Sequence, residues 1–170
     1  DVCDPCPDTP NLGGNACPAS VYDLKGGVVA KGSLVAVSHL LVTGRTANGF
    51  FAQVKEGDTG FQGADFSGVF VYDPASMVTA GDRVTLSSAT VADFYGQTPL
   101  SNVTVLIEGT GEAPPLPVVE TPARLGTGGA RAAALEAVLV TVAGATVTNP
   151  NPPPGPGDST TPNEFEVDGA

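Results

Sequence analysis

Basic side chains are scarce in this chain: seven Lys and Arg stand against 18 Asp and Glu, for a net charge of −11. Non-specific nucleic-acid binding rests on Lys and Arg neutralising phosphates, so this balance argues against it. The surplus of acid suits a divalent-cation binder or a heavily solvated extracellular surface. Histidine occurs once, at His39, inside an apolar run. A Ser-His-Asp relay needs a positioned base, and a structural or surface histidine fits that context better. No apolar run reaches the length of a membrane-spanning helix. A phosphate-cradling loop is also missing: Gly126-Thr127-Gly128-Gly129 has neither the following lysine nor a preceding strand. The chain opens on Asp1-Val2-Cys3 without a signal-peptide pattern, which reads as a mature or trimmed product. None of these features supports an active site, and the expectation is a non-enzymatic protein.

What is present points to strands. Hydrophobic residues make up 41% and charged residues only 15%, so the chain is no disordered polyelectrolyte. With 170 residues it can bury a real core. The 22 Gly and 16 Pro call for many turns and oppose long helices. Val and Thr dominate the apolar runs and favour strands. The pattern predicts strands over 33–43 (ended by Gly44), 50–54, 67–72, 83–92 and 102–107, with Asn48-Gly49 as a hairpin dipeptide. Residues 55–65 form a loop, and Phe94-Tyr95-Gly96-Gln97 an exit turn. Thr121-Pro122 suits a short helix start, and 130–137 is the other helix candidate. Further strands are expected over 138–147 and 163–168, flanking a Pro/Gly-rich loop.

All three cysteines lie in Asp1-Val2-Cys3-Asp4-Pro5-Cys6-Pro7 and the ten residues after it. Cys3-x-x-Cys6 has zinc-site spacing, but a four-ligand set would have to include Cys17 and His39. A Cys3–Cys6 bridge would close a tight ring. An odd cysteine count also leaves room for an intermolecular bridge. Asp1, Cys3, Asp4, Cys6, Pro7 and Asn11 resemble the end of a thrombospondin type 3 repeat. That resemblance implies a Cys6–Cys17 disulfide and calcium ligation by Asp1, Asp4 and Asn11, although the upstream aspartates of such a loop are missing. Glu56, Asp58 and Asp65 form a second oxygen-rich loop, read either as solvated turn residues or as a weak calcium site. Calcium is the one cofactor the composition suits.

Four segments occur in order: Gly49-Phe50-Phe51-Ala52-Gln53, Gly68-Val69-Phe70-Val71-Tyr72, Ala80-Gly81-Asp82-Arg83-Val84 and Phe94-Tyr95-Gly96-Gln97-Thr98. Together they resemble the OB-like (oligonucleotide/oligosaccharide-binding) domains of secreted bacterial proteins, often found beside extracellular nucleases. The resemblance implies an all-β, Greek-key barrel and a secreted or cell-surface home. The expected organisation is a disulfide-tied arm over 1–19, the OB-like barrel over 20–112, a Pro/Gly/Ala-rich connector over 113–135, and a partial second β unit over 136–170. Two functions are weighed. The first is a structural or assembly protein whose unfinished second unit self-associates by edge-strand pairing, with calcium as an aid. The alternative is a binding module for nucleic acid or glycan, accessory to a secreted nuclease, with Arg45, Phe51, Lys55, Tyr72 and Tyr95 as ligand contacts. The net charge disfavours nucleic acid. The Asn102-Val103-Thr104 sequon falls in a predicted strand.

Overall fold

A computed structural model describes Cys6 and residues 16–154 and 165–167. Strand is the main regular structure of the described residues, in keeping with the Val/Thr content. In order it forms β1 (Cys17–Pro18), α1 (Val21–Lys25), β2 (Leu34–Thr46), β3 (Gly49–Gln53), β4 (Gly68–Tyr72), β5 (Arg83–Val91) and β6 (Leu100–Gly109). There follow β7 (Val118–Glu120), α2 (Pro122–Leu125), β8 (Val140–Val142), β9 (Val147–Asn149) and β10 (Glu166–Val167). The first six strands make one sheet in the order β1-β2-β3-β4-β6-β5, and β2 also pairs with β5. Strands β2, β3, β4, β6 and β5 therefore form a ring of pairings. Residues 34–41 of the long β2 pair with β5, and residues 41–46 with β3. Shifts in register after Val35, Val37 and Val42 bend β2 between its two partners. The shortest pairing in the ring is that of β4 with β6, in parallel, at Val71↔Leu100.

Alternation along each strand sets the core. Phe50 and Ala52 on β3, Val69 and Val71 on β4, and Val84, Leu86, Ala89 and Val91 on β5 all point inward and are buried. Each fully buried Val, Leu or Phe contributes about 1.5–3 kcal/mol. The intervening residues Phe51, Phe70 and Tyr72 are thereby turned to the outer face of β3 and β4. That outer face carries the candidate site.

Short α1 has a capping box. The Ser20 hydroxyl accepts from the Asp23 amide (3.1 Å), and the Asp23 carboxylate accepts from the Ser20 amide (2.9 Å). Its Val21 and Leu24 complete the core beside Val35 and Val37. Cys6 and Cys17 are bonded, with Cα atoms 5.3 Å apart, and Cys6 is buried. Their separation of 11 residues closes a short loop. Restricting that loop in the unfolded chain stabilises by about 2–3 kcal/mol. A denaturant melt of the Cys6→Ser/Cys17→Ser double variant is expected to show a loss of that size, with the β-sheet circular dichroism retained. Cys3, Asp1, Asp4 and Asn11 lie outside the described residues.

Several sequence expectations are adjusted. Gly44 does not end β2, which runs through it to Thr46. The 130–137 segment is a series of turns rather than a helix, broken by Ala137 at φ 62°. The single strand expected over 138–147 is two, β8 and β9, divided at Gly144. The 113–135 connector contains β7, which pairs in parallel with β8, while β9 pairs with β10.

Residues 131–139 are seated on the ring. The Phe66 amide donates to the Ala134 carbonyl (2.6 Å), the Leu139 amide to the Gln53 side chain (3.0 Å), and the Lys25 ammonium to Glu136 (2.6 Å). Arg131 pairs with Asp65, and Leu135 and Val138 are buried. Gly68 permits this approach: a Cβ there would overlap the Ala137 carbonyl.

Candidate ligand groove

Phe51 and Phe70 are register partners across β3 and β4, and their rings pack at 5.0 Å with a 52° tilt. Tyr72, one step further out on the same face of β4, is half exposed at 52%. These three rings floor a groove of about 890 Å³. Thr46 and Asn48 from the β2–β3 hairpin close one end, and residues 92–101 form a side. Glu136 and Ala137 of the seated C-terminal segment complete the lining.

The 92–99 loop is a tight hairpin. Ala92 donates to the Pro99 carbonyl, while Phe94 and Gln97 exchange backbone bonds of 3.2 and 2.9 Å. Tyr95 and Gly96 both have positive φ (49° and 85°), as a type I′ turn requires. The turn holds Phe94 and Tyr95 outward, edge to face at 4.8 Å. At its base Asp93 pairs with Lys31 at 2.6 Å. The Lys31 hydrogen bond holds the Asp93 carboxyl below its ordinary range.

Glu136 stands on the groove wall because Lys25 holds it there. The Lys25 side chain is only 4% exposed, so its ammonium depends on that carboxylate. The polar members Thr46, Asn48, Gln97 and Ser101 give the groove hydroxyl and amide groups beside its rings.

The sequence-predicted ligand residues divide. Phe51 and Tyr72 line the groove, and Tyr95 packs on Phe94, which does. Arg45 is exposed on β2 and Lys55 donates to the Ala113 carbonyl (2.8 Å); neither is among the groove's lining residues. No Lys or Arg lines this groove among the described residues. His39 is an exposed surface residue whose Nδ1 lies 2.7 Å from Glu108. Phe70 and Phe94 follow from strand alternation and from the turn, whereas Glu136 meets Lys25 across 111 residues of sequence and has no local signal.

The loop carboxylates are taken up separately. Glu56 accepts from the Leu116 amide (3.1 Å), Asp58 accepts from Lys55 N (2.9 Å) and Arg83 (2.7 Å), and Asp65 pairs with Arg131. Among the described residues no three His, Cys, Asp or Glu side chains converge on a metal-sized position. Tyr22 is likewise committed, donating to the Gly63 carbonyl and accepting from the Gln62 amide. Its burial pushes the phenol above its ordinary range, partly offset by that amide.

The chain matches no protein-family model, and no curated protein matches it.

Proposed function

We propose that this chain is a non-catalytic, secreted binding module whose ring of strands is an OB-like Greek-key barrel, with the groove on β3 and β4 as its ligand site. Counting β2 to β6 as first to fifth, β5 returns beside β2 and β6 fills the gap beside β4. Barrels of this kind bind oligomers on the face of their second and third strands, between the first and fourth hairpin loops. The groove sits on that face, between the 46–49 turn and the 92–99 loop, and this coincidence carries the reading. The Cys6–Cys17 disulfide supports an oxidising, extracellular setting.

The chain has no Trp and three Tyr, of which Tyr72 lines the groove and Tyr95 packs on a lining residue. Tyrosine fluorescence therefore reports on the groove directly. Titration with soluble oligosaccharides and oligonucleotides is expected to change it saturably, and Tyr72→Phe is expected to remove most of the change. A saturable signal that Tyr72→Phe leaves intact would place the ligand elsewhere.

A second reading is favoured by the C-terminal segment: assembly through β-strand pairing. Its two sheets have two strands each, a size that is marginal alone. Val119, Val147 and Phe165 are exposed, and Phe165 lines an apolar recess of about 450 Å³ with Pro122, Leu125, Val142 and Val167. Strands of a second copy would extend these sheets. Any calcium in such an assembly is assigned to the arm carrying Asp1, Asp4 and Asn11, because Glu56, Asp58 and Asp65 bond to other groups. Sedimentation velocity at rising concentration, with and without a calcium chelator, is expected to show association that Val119→Lys abolishes. A single monomeric species throughout contradicts this second reading.

A further inference from the structure

We infer that the groove on β3 and β4 takes an uncharged glycan chain rather than a nucleic acid; the inference rests on the binding-module reading and names its ligand class. Among the described residues the groove's lining offers no cation to a polyanion. Its charged lining residues are Asp93 and Glu136, carboxylates already paired with Lys31 and Lys25, on a chain of net charge −11. A phosphodiester backbone needs a track of Lys and Arg beside its stacking rings, and here Arg45 and Lys55 lie outside the lining. Without that track the groove lacks the phosphate pairing that supplies most nucleic-acid affinity. Its aromatic rings still offer a packing surface to an uncharged ligand.

The lining also selects against a purely apolar occupant. A lipid tail or apolar peptide covering Asp93, Glu136, Asn48 and Gln97 would strand their polar atoms, at a cost. A sugar ring satisfies both parts. Its C–H face is electropositive and fits the negative faces of Phe70, Tyr72 and Phe94. Its hydroxyls donate to carboxylates and exchange bonds with amides. Glu136 has one oxygen on Lys25, and its Oε2 has no partner among the described residues, so it remains available as an acceptor. The volume of about 890 Å³ lies in the upper part of the range for small-ligand sites, room for several sugar units.

Calorimetric titration of the full chain tests this with three probes: the hexasaccharides of β-1,4-linked glucose and of β-1,4-linked N-acetylglucosamine, and decathymidylate. At least one hexasaccharide is expected to bind with an affinity that barely changes between low and high salt. Tyr72→Ala and Phe94→Ala, both at exposed positions that leave the core intact, are each expected to weaken binding about tenfold. Binding of decathymidylate alone, falling steeply with salt, overturns the glycan assignment and leaves the binding-module reading standing. Binding of neither class overturns both. Hexasaccharide binding that both alanine variants leave unchanged overturns the groove as the glycan site.

Discussion

Replacing Arg83 by alanine is expected to destabilise the fold by about 2 kcal/mol, within the range for losing hydrogen bonds to charged groups and below the penalty for a fully buried ion pair. Arg83 opens β5, and its side chain is 12% exposed. Its Nε and Nη2 donate to the two oxygens of Glu112 at 2.9 and 2.6 Å, while Nη1 donates to Asp58 (2.7 Å) and to the His39 carbonyl (2.8 Å). One guanidinium thus ties the 55–58 loop, the β2 bend and the chain leaving β6. Removing it leaves two carboxylates without their cation. Glu112 keeps 36% exposure, and that access to water limits the loss. Arg83→Lys keeps the charge but loses the bidentate fork, so an intermediate loss is expected. Urea melts at neutral pH measure both.

The same network predicts a pH dependence. The Glu112 hydrogen bond, opposed by burial and reinforced by Asp58, raises the Arg83 guanidinium above its ordinary value. Reciprocally, Arg83 holds the Glu112 carboxyl below the ordinary glutamate range. A depressed folded value means that the unfolded chain takes up its proton first as pH falls. The stabilisation is therefore complete above the ordinary glutamate range and is lost as pH drops through the folded value. The gap between the native chain and Arg83→Ala is expected to shrink across that acid range. A gap of constant size down to the lowest pH at which both fold contradicts the assignment.

Gly68→Val is expected to cost about 3 kcal/mol, the upper end of overpacking penalties, because the obstacle is backbone and not a side chain that can turn aside. Any Cβ at Gly68 meets the carbonyl of Ala137, a residue already held at positive φ. The 131–139 segment must then lift from the ring, and Glu136 and Ala137 leave the groove wall. Hydrogen exchange localises the effect: the amides of Phe66 and Leu139, which bond across this seat, should lose protection while those of β5 keep theirs. Uniform loss over all strands would mean that the seat and the ring unfold as one unit. Gly49→Ala offers a comparison at the opposite end of the β3–β4 pair, where a Cβ on β3 would strike the Val71 carbonyl inside the ring itself.

Much of the ring was legible because its cues are local. Val-rich alternation marks β4 and β5, Asn48 next to Gly49 marks the β2–β3 hairpin, and Tyr95-Gly96 marks the turn that lifts Phe94. The alternation that buries Phe50 also turns Phe51 outward, so the groove floor was half visible in the order of residues. Helix α1, five residues long, is too short to show an apolar period, and only the Ser20 and Asp23 capping signal marks it. The 130–137 run reads as helix by its alanines, but its seat on Gly68 and Gln53 imposes turns that propensity does not encode. Arg45 and Lys55 could be named as basic residues, yet strand direction and the Ala113 contact decide where they stand. The acids of the 55–65 loop look like one cluster because they are near in sequence. Arg83, Arg131 and the Leu116 amide, all distant in sequence, draw them apart.

The central claim, that the outer face of β3 and β4 is a ligand site, is tested most directly by amide chemical-shift mapping. The labelled full chain would be titrated with the hexasaccharide that binds best. Shifts confined to 46–53, 68–72, 92–101 and 136–137 are the expected result. Shifts centred on β7 to β10, with the groove amides unmoved, would contradict it.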